Sequence, residues 1–206
     1  MSVIGITGGI ASGKSTFCRM LACRIEAEIF DADAEARMLL ERDADVREAV
    51  TKEISSAAYG ENGLPDRAEI RRVIFADAAA KGRLEGILHP RVRARWMTFA
   101  AEKANAASPL LVDIPLLFEN HLESHFSSII TVACSRETQI QRVVARGIEE
   151  KIAESILAAQ NPTLEKISRA HFVVWNDGGL EALESQADEL VNRSGLFRRR
   201  ASRLEP

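Results

Sequence analysis

Directly behind the apolar run Val3-Ile4-Gly5-Ile6 stands Gly8-Gly9-Ile10-Ala11-Ser12-Gly13-Lys14-Ser15-Thr16, and no other stretch constrains the fold as much. It fits the pattern Gly, four residues, Gly, Lys, Ser/Thr, in the strand, loop, helix setting that a phosphate-binding loop requires. Each residue type has a physical task. Glycines let backbone N–H groups turn inward around phosphate oxygens, Lys14 reaches the β- and γ-phosphates, and Ser15 offers its hydroxyl to Mg²⁺. A helix starting near Lys14 adds its positive dipole end. Gly8, Gly9, Ala11, Ser12, Gly13, Lys14, Ser15 and Thr16 are therefore candidates for holding a nucleoside triphosphate. An ordinary glycine-rich turn is the alternative, and the complete spacing argues against it. The expected fold class is α/β, a P-loop NTPase fold.

The rest of the composition narrows the class. A chain of 206 residues with 28% charged and 46% apolar residues has the makeup of a soluble globular protein with a substantial core. A net charge of -3 gives no global attraction to nucleic acid. The one dense basic run, Arg198-Arg199-Arg200 with Arg203, reads as a solvated tail. Cys18, Cys23 and Cys134 are odd in number and contain no CxxC pair, which argues against a disulfide framework and a structural zinc site and suits a reducing cytoplasm. No signal peptide is visible, and no apolar run approaches the ~18 residues of a membrane span.

After the loop, Phe17, Met20, Leu21 and Ile25 recur at helical spacing. Glu28-Ile29-Phe30 reads as a second strand that delivers Asp31-Ala32-Asp33 at its carboxyl end, where open α/β sheets place their ligand crevice. One of these aspartates is expected to cap the helix beginning at Ala34. The other could face the phosphates or accept a proton from an attacking hydroxyl, with Asp33 the better placed. A charged helix is expected from Asp43 through Ala58, then a turn at Tyr59-Gly60-Glu61-Asn62-Gly63. A helix capped by Asp66 should follow, with Ile70, Val73, Ile74 and Phe75 on its inner face. Another runs from Ala78 to Leu88, pauses at His89-Pro90 and resumes from Arg91 to about Asn105. His89 precedes a proline and should sit at a kink, either organising it or touching a ligand. One or two of Arg91, Arg93 and Arg95 could meet an anionic substrate.

Pro109 to Ile114 is a continuous apolar run interrupted only by Asp113, as in a buried parallel strand. Asp113 stands where a Walker B aspartate would hold Mg²⁺, directly or through water; a structural acid bonded to loop backbone is the alternative. Glu119 is a second acidic candidate. His121 and His125 have helix-compatible metal spacing but no third ligand, so surface positions are expected. Ser128 to Ala133 is the fourth strand, and Ser135 should cap a helix from Arg136 to Ala145. Arg142 and Arg146, four apart, would share a helix face. With a helix from Glu149 to Gln160 they make a hairpin of the phosphoryl-transfer lid type, or else a charged surface hairpin. The fifth strand is expected over His171 to Trp175, followed by the Asn176-Asp177-Gly178-Gly179 turn and a closing helix whose buried stripe is Leu180, Leu183, Ala187 and Leu190.

The chain is thus expected to form one P-loop domain on a five-stranded, mostly parallel sheet flanked by helices. Its nucleotide core would span about 1–35, 106–140 and 170–195, with a helical substrate lobe at about 36–105 and a lid at about 141–169. The guanine-reading Asn-Lys-x-Asp tetrad and the Leu-Ser-Gly-Gly-Gln transporter signature are both missing, and Asp113 is followed by Ile114 where many hydrolytic ATPases have glutamate. A small-molecule kinase that closes over its substrate fits these features best. A kinase of another small hydroxyl substrate and a nucleotide-binding switch are the alternatives.

The motifs also resemble the dephospho-coenzyme A kinase family from Val3 to about Asn192. The resemblance is carried by Ile6-Thr7-Gly8-Gly9-Ile10, Asp31-Ala32-Asp33, Leu64 to Phe75, Leu88-His89-Pro90, Pro115-Leu116-Leu117-Phe118-Glu119, Ala159-Gln160 and Asn176. It implies transfer of the ATP γ-phosphate, with Mg²⁺, to the 3′-hydroxyl of dephospho-coenzyme A, by a monomer or weak homo-oligomer with no nucleic-acid or membrane partner. By that analogy Asp33 is the base or hydroxyl-orienting group. Lys14 and Arg142 or Arg146 stabilise charge, and the Asn176 turn walls the adenine site. His89, Leu116 and Glu119 are the candidate acceptor-binding residues. The sequence departs from the family pattern at Ala11, where glycine is usual. It does so again at Ser155-Ile156-Leu157, which lacks an arginine, and at Ala170-His171, where alanine and aspartate are usual.

Overall fold

The computed structural model describes residues 2–103, 108–158 and 160–193; the arginine-rich run, Ala159 and the expected helix end at Asn105 lie outside them. The chain divides into two compact units, Met1–Phe30 with Lys103–Pro206, and Asp31–Glu102.

The first unit is built on a five-stranded parallel sheet. Its strands are β1 (Val3–Thr7), β2 (Glu28–Asp31), β3 (Leu110–Asp113), β4 (Ser128–Ala133) and β5 (Phe172–Trp175), in the order β2-β3-β1-β4-β5. β1 pairs in parallel with β3, Ile6 opposite Asp113, and with β4, Thr7 opposite Thr131. β3 and β4 are buried along their whole length, which is why they read as unbroken apolar runs. Helices α1 (Lys14–Ile25) and α9 (Leu180–Arg193) cover one face, where Ile4, Ile6, Leu111, Ile130, Val132 and Val174 meet Phe17, Leu21, Leu183 and Ala187. Cys18 lies in this core, while Cys23 is exposed on α1. The buried stripe of α9 starts at Leu183: Leu180 opens the helix and is 64% exposed, against expectation. Thr131 faces the other side and donates to the Lys166 carbonyl of α8 (Thr163–Arg169). Helices α6 (Arg136–Val144) and α7 (Glu150–Ala158) pack together.

The expected fifth strand starts one residue late, but His171 still joins β4. Its backbone N–H donates to the Ile129 carbonyl at 3.0 Å, and its ring Nδ1 accepts from the Ile129 N–H at 3.1 Å. A side chain thus supplies a bond that the neighbouring backbone would otherwise have to make.

The second unit is helical: α2 (Ala32–Arg42), α3 (Ala44–Glu53), α4 (Arg67–Ala76) and α5 (Ala78–Glu102). Each of the first three has an aspartate cap, Asp31, Asp43 and Asp66, accepting first-turn N–H groups at 2.8–3.0 Å. α3 ends at Glu53, short of the expected Ala58, where Ser55 to Ala58 turn instead. On α4, Ile70 is buried and Val73 and Ile74 are half-buried, but Phe75 is 65% exposed. It falls five positions after Ile70, off the stripe that positions three and four apart define.

α5 corrects the expected pause at His89-Pro90, because the helix runs unbroken through both. A mid-helix proline frees the carbonyl four residues back, here that of Gly86. Gly86 and Pro90 both lie on the exposed side, so water can take that bond. The Arg91 guanidinium donates to the Ile87 carbonyl at 2.7 Å, reinforcing the same turn. The stripe Ala80, Leu84, Ile87, Leu88, Val92 and Trp96 stays buried across the proline and pins both halves.

Candidate active site

Six residues, 8–13, connect β1 to α1, and their conformation depends on close approach. A Cβ on Gly8 would lie 2.1 Å from the Val132 carbonyl oxygen. One on Gly13, at φ 92°, would lie 2.1 Å from Asn176 Nδ2. A side chain at Gly8 would push on the backbone of β4, and one at Gly13 would displace Asn176 and strain a positive φ. Gly13 is also the N-cap of α1, and as a glycine it brings no capping side chain to the first turn of that helix. The N-terminus of α1 and the glycine loop together form an anion cradle. Ser12 adds a buried hydroxyl that has no hydrogen-bond partner among the described residues. Ala11 adopts a left-handed φ of 57°, which for a residue with a Cβ costs about 1–2 kcal/mol. Its methyl is repaid by burial against Val143 of α6 and Ala153 of α7, with Ile10 and Ile148 alongside.

Four side chains from distant parts of the chain fasten the loop. Asn176 Nδ2 donates to the Ser12 carbonyl at 2.8 Å, and Gln139 Nε2 donates to the Ile10 carbonyl at 2.8 Å. The Ile10 N–H donates to Gln160 Oε1 at 3.0 Å, and Arg142 Nη1 donates to the Ala11 carbonyl at 3.3 Å. Asn176 thus props the loop from behind its last turn. Gln139 and Gln160 were not expected as site residues. The available signal for Gln139 was its position four before Val143, on the buried side of α6.

The charged groups of the loop meet β3. Lys14 Nζ donates to the Gly9 carbonyl at 3.3 Å, lying across the loop it serves. Ser15 Oγ donates to Asp113 Oδ2 at 2.9 Å, and Asp113 is 5% exposed at the end of β3. Thr16 is half-buried one position further on. Cys134, just past β4, reports on the local field: burial pushes its thiol up, against the pull of Arg142 and Lys14.

The two expected hairpin arginines part company. Arg142 lies on α6 and touches the loop, but the helix ends at Val144, so Arg146 sits in the exposed turn before Gly147. Spacing of four puts two residues on one face only while the helix lasts. Beyond β3, Thr7 Oγ1 donates to the Pro115 carbonyl at 3.1 Å, and Leu116 is half-buried while Leu117 and Phe118 are core. Glu119 Oε1 takes Lys166 Nζ at 2.7 Å and the Asn161 N–H at 3.1 Å. Lys166 is 1% exposed, a buried cation that no local sequence signal marks. His121 is exposed and His125 half-buried. In the helical unit, Asp31 is the cap and Asp33 stands exposed in the first turn of α2. His89 is half-buried within α5, not at a helix end.

A glycine cradle feeding a helix, with lysine and a hydroxyl at its mouth and a buried aspartate on the adjacent parallel strand, defines the P-loop NTPase class. Known proteins make the assignment narrower. The dephospho-CoA kinase family model matches residues 2–182. The dephospho-CoA kinase of Anaeromyxobacter dehalogenans is 40% identical over 203 residues, 97% of this chain and 96% of that protein. That of Methylococcus capsulatus is 38% identical over 198 residues, 96% and 98% of the two. Among solved structures, TT1252 from Thermus thermophilus superposes with a TM-score of 0.75 at 32% identity, covering 93% of this chain and 96% of that one. Shikimate kinase from Bacteroides thetaiotaomicron, at 15% identity and a TM-score of 0.53 over 93% and 97% of the chains, shares the fold. The chain belongs to the dephospho-CoA kinase family.

Proposed function

We propose that the chain transfers the γ-phosphoryl group of ATP to the 3′-hydroxyl of dephospho-coenzyme A, giving coenzyme A and ADP, the last step of coenzyme A biosynthesis. The observation that carries the phosphoryl-transfer chemistry is the 2.9 Å bond from Ser15 to buried Asp113 beside Lys14. The acceptor follows from membership of the family.

In this reading Gly8, Gly9, Ala11, Ser12, Gly13 and Thr16 hold the phosphates through backbone and hydroxyl donors. Lys14 leaves the Gly9 carbonyl for the β- and γ-oxygens. Ser15 and Asp113 fit Mg²⁺: they are hard oxygen donors already within hydrogen-bond distance of each other. Mg²⁺ held by them supplies neutralisation of the β- and γ-phosphate charge. Asp33 orients the 3′-hydroxyl and takes its proton late, as the new O–P bond forms and the bond from Pγ to the bridging oxygen breaks, with ADP leaving. Arg142 stabilises charge spreading over the transferred group, with Arg146 as the alternative.

His89 and Leu116 are assigned to the acceptor, as is Glu119 through Oε2, since its Oε1 is engaged by Lys166 and Asn161. The Asn176 turn walls the adenine site. Residues of about 36–105 act as the acceptor lobe and about 141–169 as the lid. No helix among the described residues is long and apolar enough to cross a membrane. With three free cysteines, the chain is assigned to the cytoplasm, as a monomer or weak homo-oligomer without nucleic-acid partners.

The test is ADP release from ATP and Mg²⁺ across dephospho-coenzyme A, adenosine, shikimate, gluconate and water. Turnover that depends on dephospho-coenzyme A is expected. Equal turnover with water alone would favour a hydrolytic switch.

A further inference from the structure

The P-loop is held at its Ile10 amide by Gln160, and Gln160 precedes Asn161, whose own amide is held by Glu119. Glu119 in turn is bound to Lys166, 1% exposed, at 2.7 Å. The Lys166 ammonium also donates to the Pro115 carbonyl at 3.3 Å, the same oxygen that accepts from Thr7 at the end of β1. We propose that Lys166, acting through Glu119, is a positioning residue for the ATP site: it fixes the Gln160-Asn161 junction so that Gln160 stays on the P-loop.

The reasons are chemical. A buried ammonium is costly to desolvate and often stabilises no better than an apolar side chain of its size. Bulk stability therefore gives little reason for a lysine here. What the ion pair adds over a methionine is direction. It holds one carboxylate oxygen where the Asn161 N–H points, and a hydrogen bond to a charged acceptor is about twice as strong as a neutral one. Adjacent Cα atoms lie ~3.8 Å apart, so an anchored Asn161 leaves Gln160 little freedom. A glutamine side chain left unanchored would lose its place to rotamer entropy. The same junction is tied to both strands that frame the loop: Pro115 follows β3, with Asp113 two residues before it, and Thr7 ends β1.

This rests on the kinase reading, but its decisive measurement uses no substrate. Amide hydrogen exchange at Ile10 is compared in the parent chain and Lys166→Met, and KM for ATP is measured in both. Faster Ile10 exchange and a rise in KM for ATP of about fivefold, the loss of one net hydrogen bond, are expected. Adding Gln160→Ala to Lys166→Met should then change KM for ATP by less than about twofold, because both substitutions cut one chain of contacts. Should Lys166→Met fail to fold, Glu119→Gln keeps the shape and weakens the same link, and the same cycle is run on it. Unchanged Ile10 exchange in a folded variant with a lowered Tm would make the pair purely structural and overturn the proposal. So would effects of Lys166→Met and Gln160→Ala on KM that simply multiply. Absence of acceptor-dependent turnover in the parent chain would count against the kinase reading and leave the exchange result to stand by itself.

Discussion

The P-loop unit and the helical unit carry their proposed functional residues in different settings. In the first, Lys14, Ser15, Asp113, Gln139 and Asn176 are locked by hydrogen bonds of 2.8–3.3 Å to backbone or to each other. In the second, Asp33 is exposed on the first turn of α2 and His89 is half-buried on α5. Asp31, Asp43 and Asp66 of that unit cap helices, and Arg67 pairs with Glu41 at the surface. The difference teaches where precision is needed. Phosphate oxygens are recognised by a rigid array of donors, and preorganising that array lowers the cost of stabilising charge in the transition state. In the proposed reaction the acceptor hydroxyl is met instead by Asp33, an exposed carboxylate that must come within hydrogen-bond reach of its proton.

Replacing Asp33 by asparagine should have the largest effect if that contrast holds. We expect kcat to fall by about 10²–10⁴-fold, the range for a general base, with KM for ATP little changed. A rise in KM for ATP with kcat intact would move Asp33 to the phosphate side and break the contrast. Lys14→Ala removes a donor from the preorganised array and should cost about 10²–10³-fold in kcat/KM. A fully active variant would remove Lys14 from the mechanism. Arg142→Ala should slow turnover by about 10²-fold, the lower end for one charge-stabilising donor, while Arg146→Ala, in the exposed turn, changes it by less than about twofold. Steady-state kinetics on the pair sharpens which part of the hairpin belongs to the loop.

The smallest effect concerns the turn that carries Asn176. The Ser135 backbone N–H holds the Asp177 carboxyl below the usual range, helped by the Ser135 and Thr138 hydroxyls and the Trp175 indole. A carboxylate lowered in the native state contributes stability that is complete above its unfolded pKa and is lost as pH falls through the lowered native value. Thermal unfolding of the parent should therefore lose stability below about pH 4, near the unfolded aspartate pKa. Asp177→Asn should flatten that limb slightly.

Local signals made much of this legible. Val3 to Thr16 contains the strand, the loop and the helix start in one contiguous pattern. Asp66 and Ser135 could be named as caps, and the cap of α2 narrowed to Asp31 or Asp33, because capping is decided within three residues. What failed to show were features decided elsewhere in the chain. Gln139 and Ile10 lie 129 positions apart, and Glu119 and Lys166 meet only because α8 packs on β4. No periodicity encodes such contacts. Pro90 misled because its local rule favours a break, while the apolar stripe on both sides and the exposed Gly86 carbonyl let α5 continue. Arg146 misled for the opposite reason: the spacing rule was sound, but the helix ended two residues too early.

In the proposed reaction this loop delivers a phosphoryl group to one hydroxyl of one acceptor. This is tested most directly by incubating the chain with dephospho-coenzyme A and ATP labelled in its γ-phosphate, then locating the label by mass spectrometry. Label on the 3′-position of coenzyme A, matched mole for mole by ADP, is the result the structure predicts. Label found only in inorganic phosphate, or on coenzyme A at another position, would contradict it.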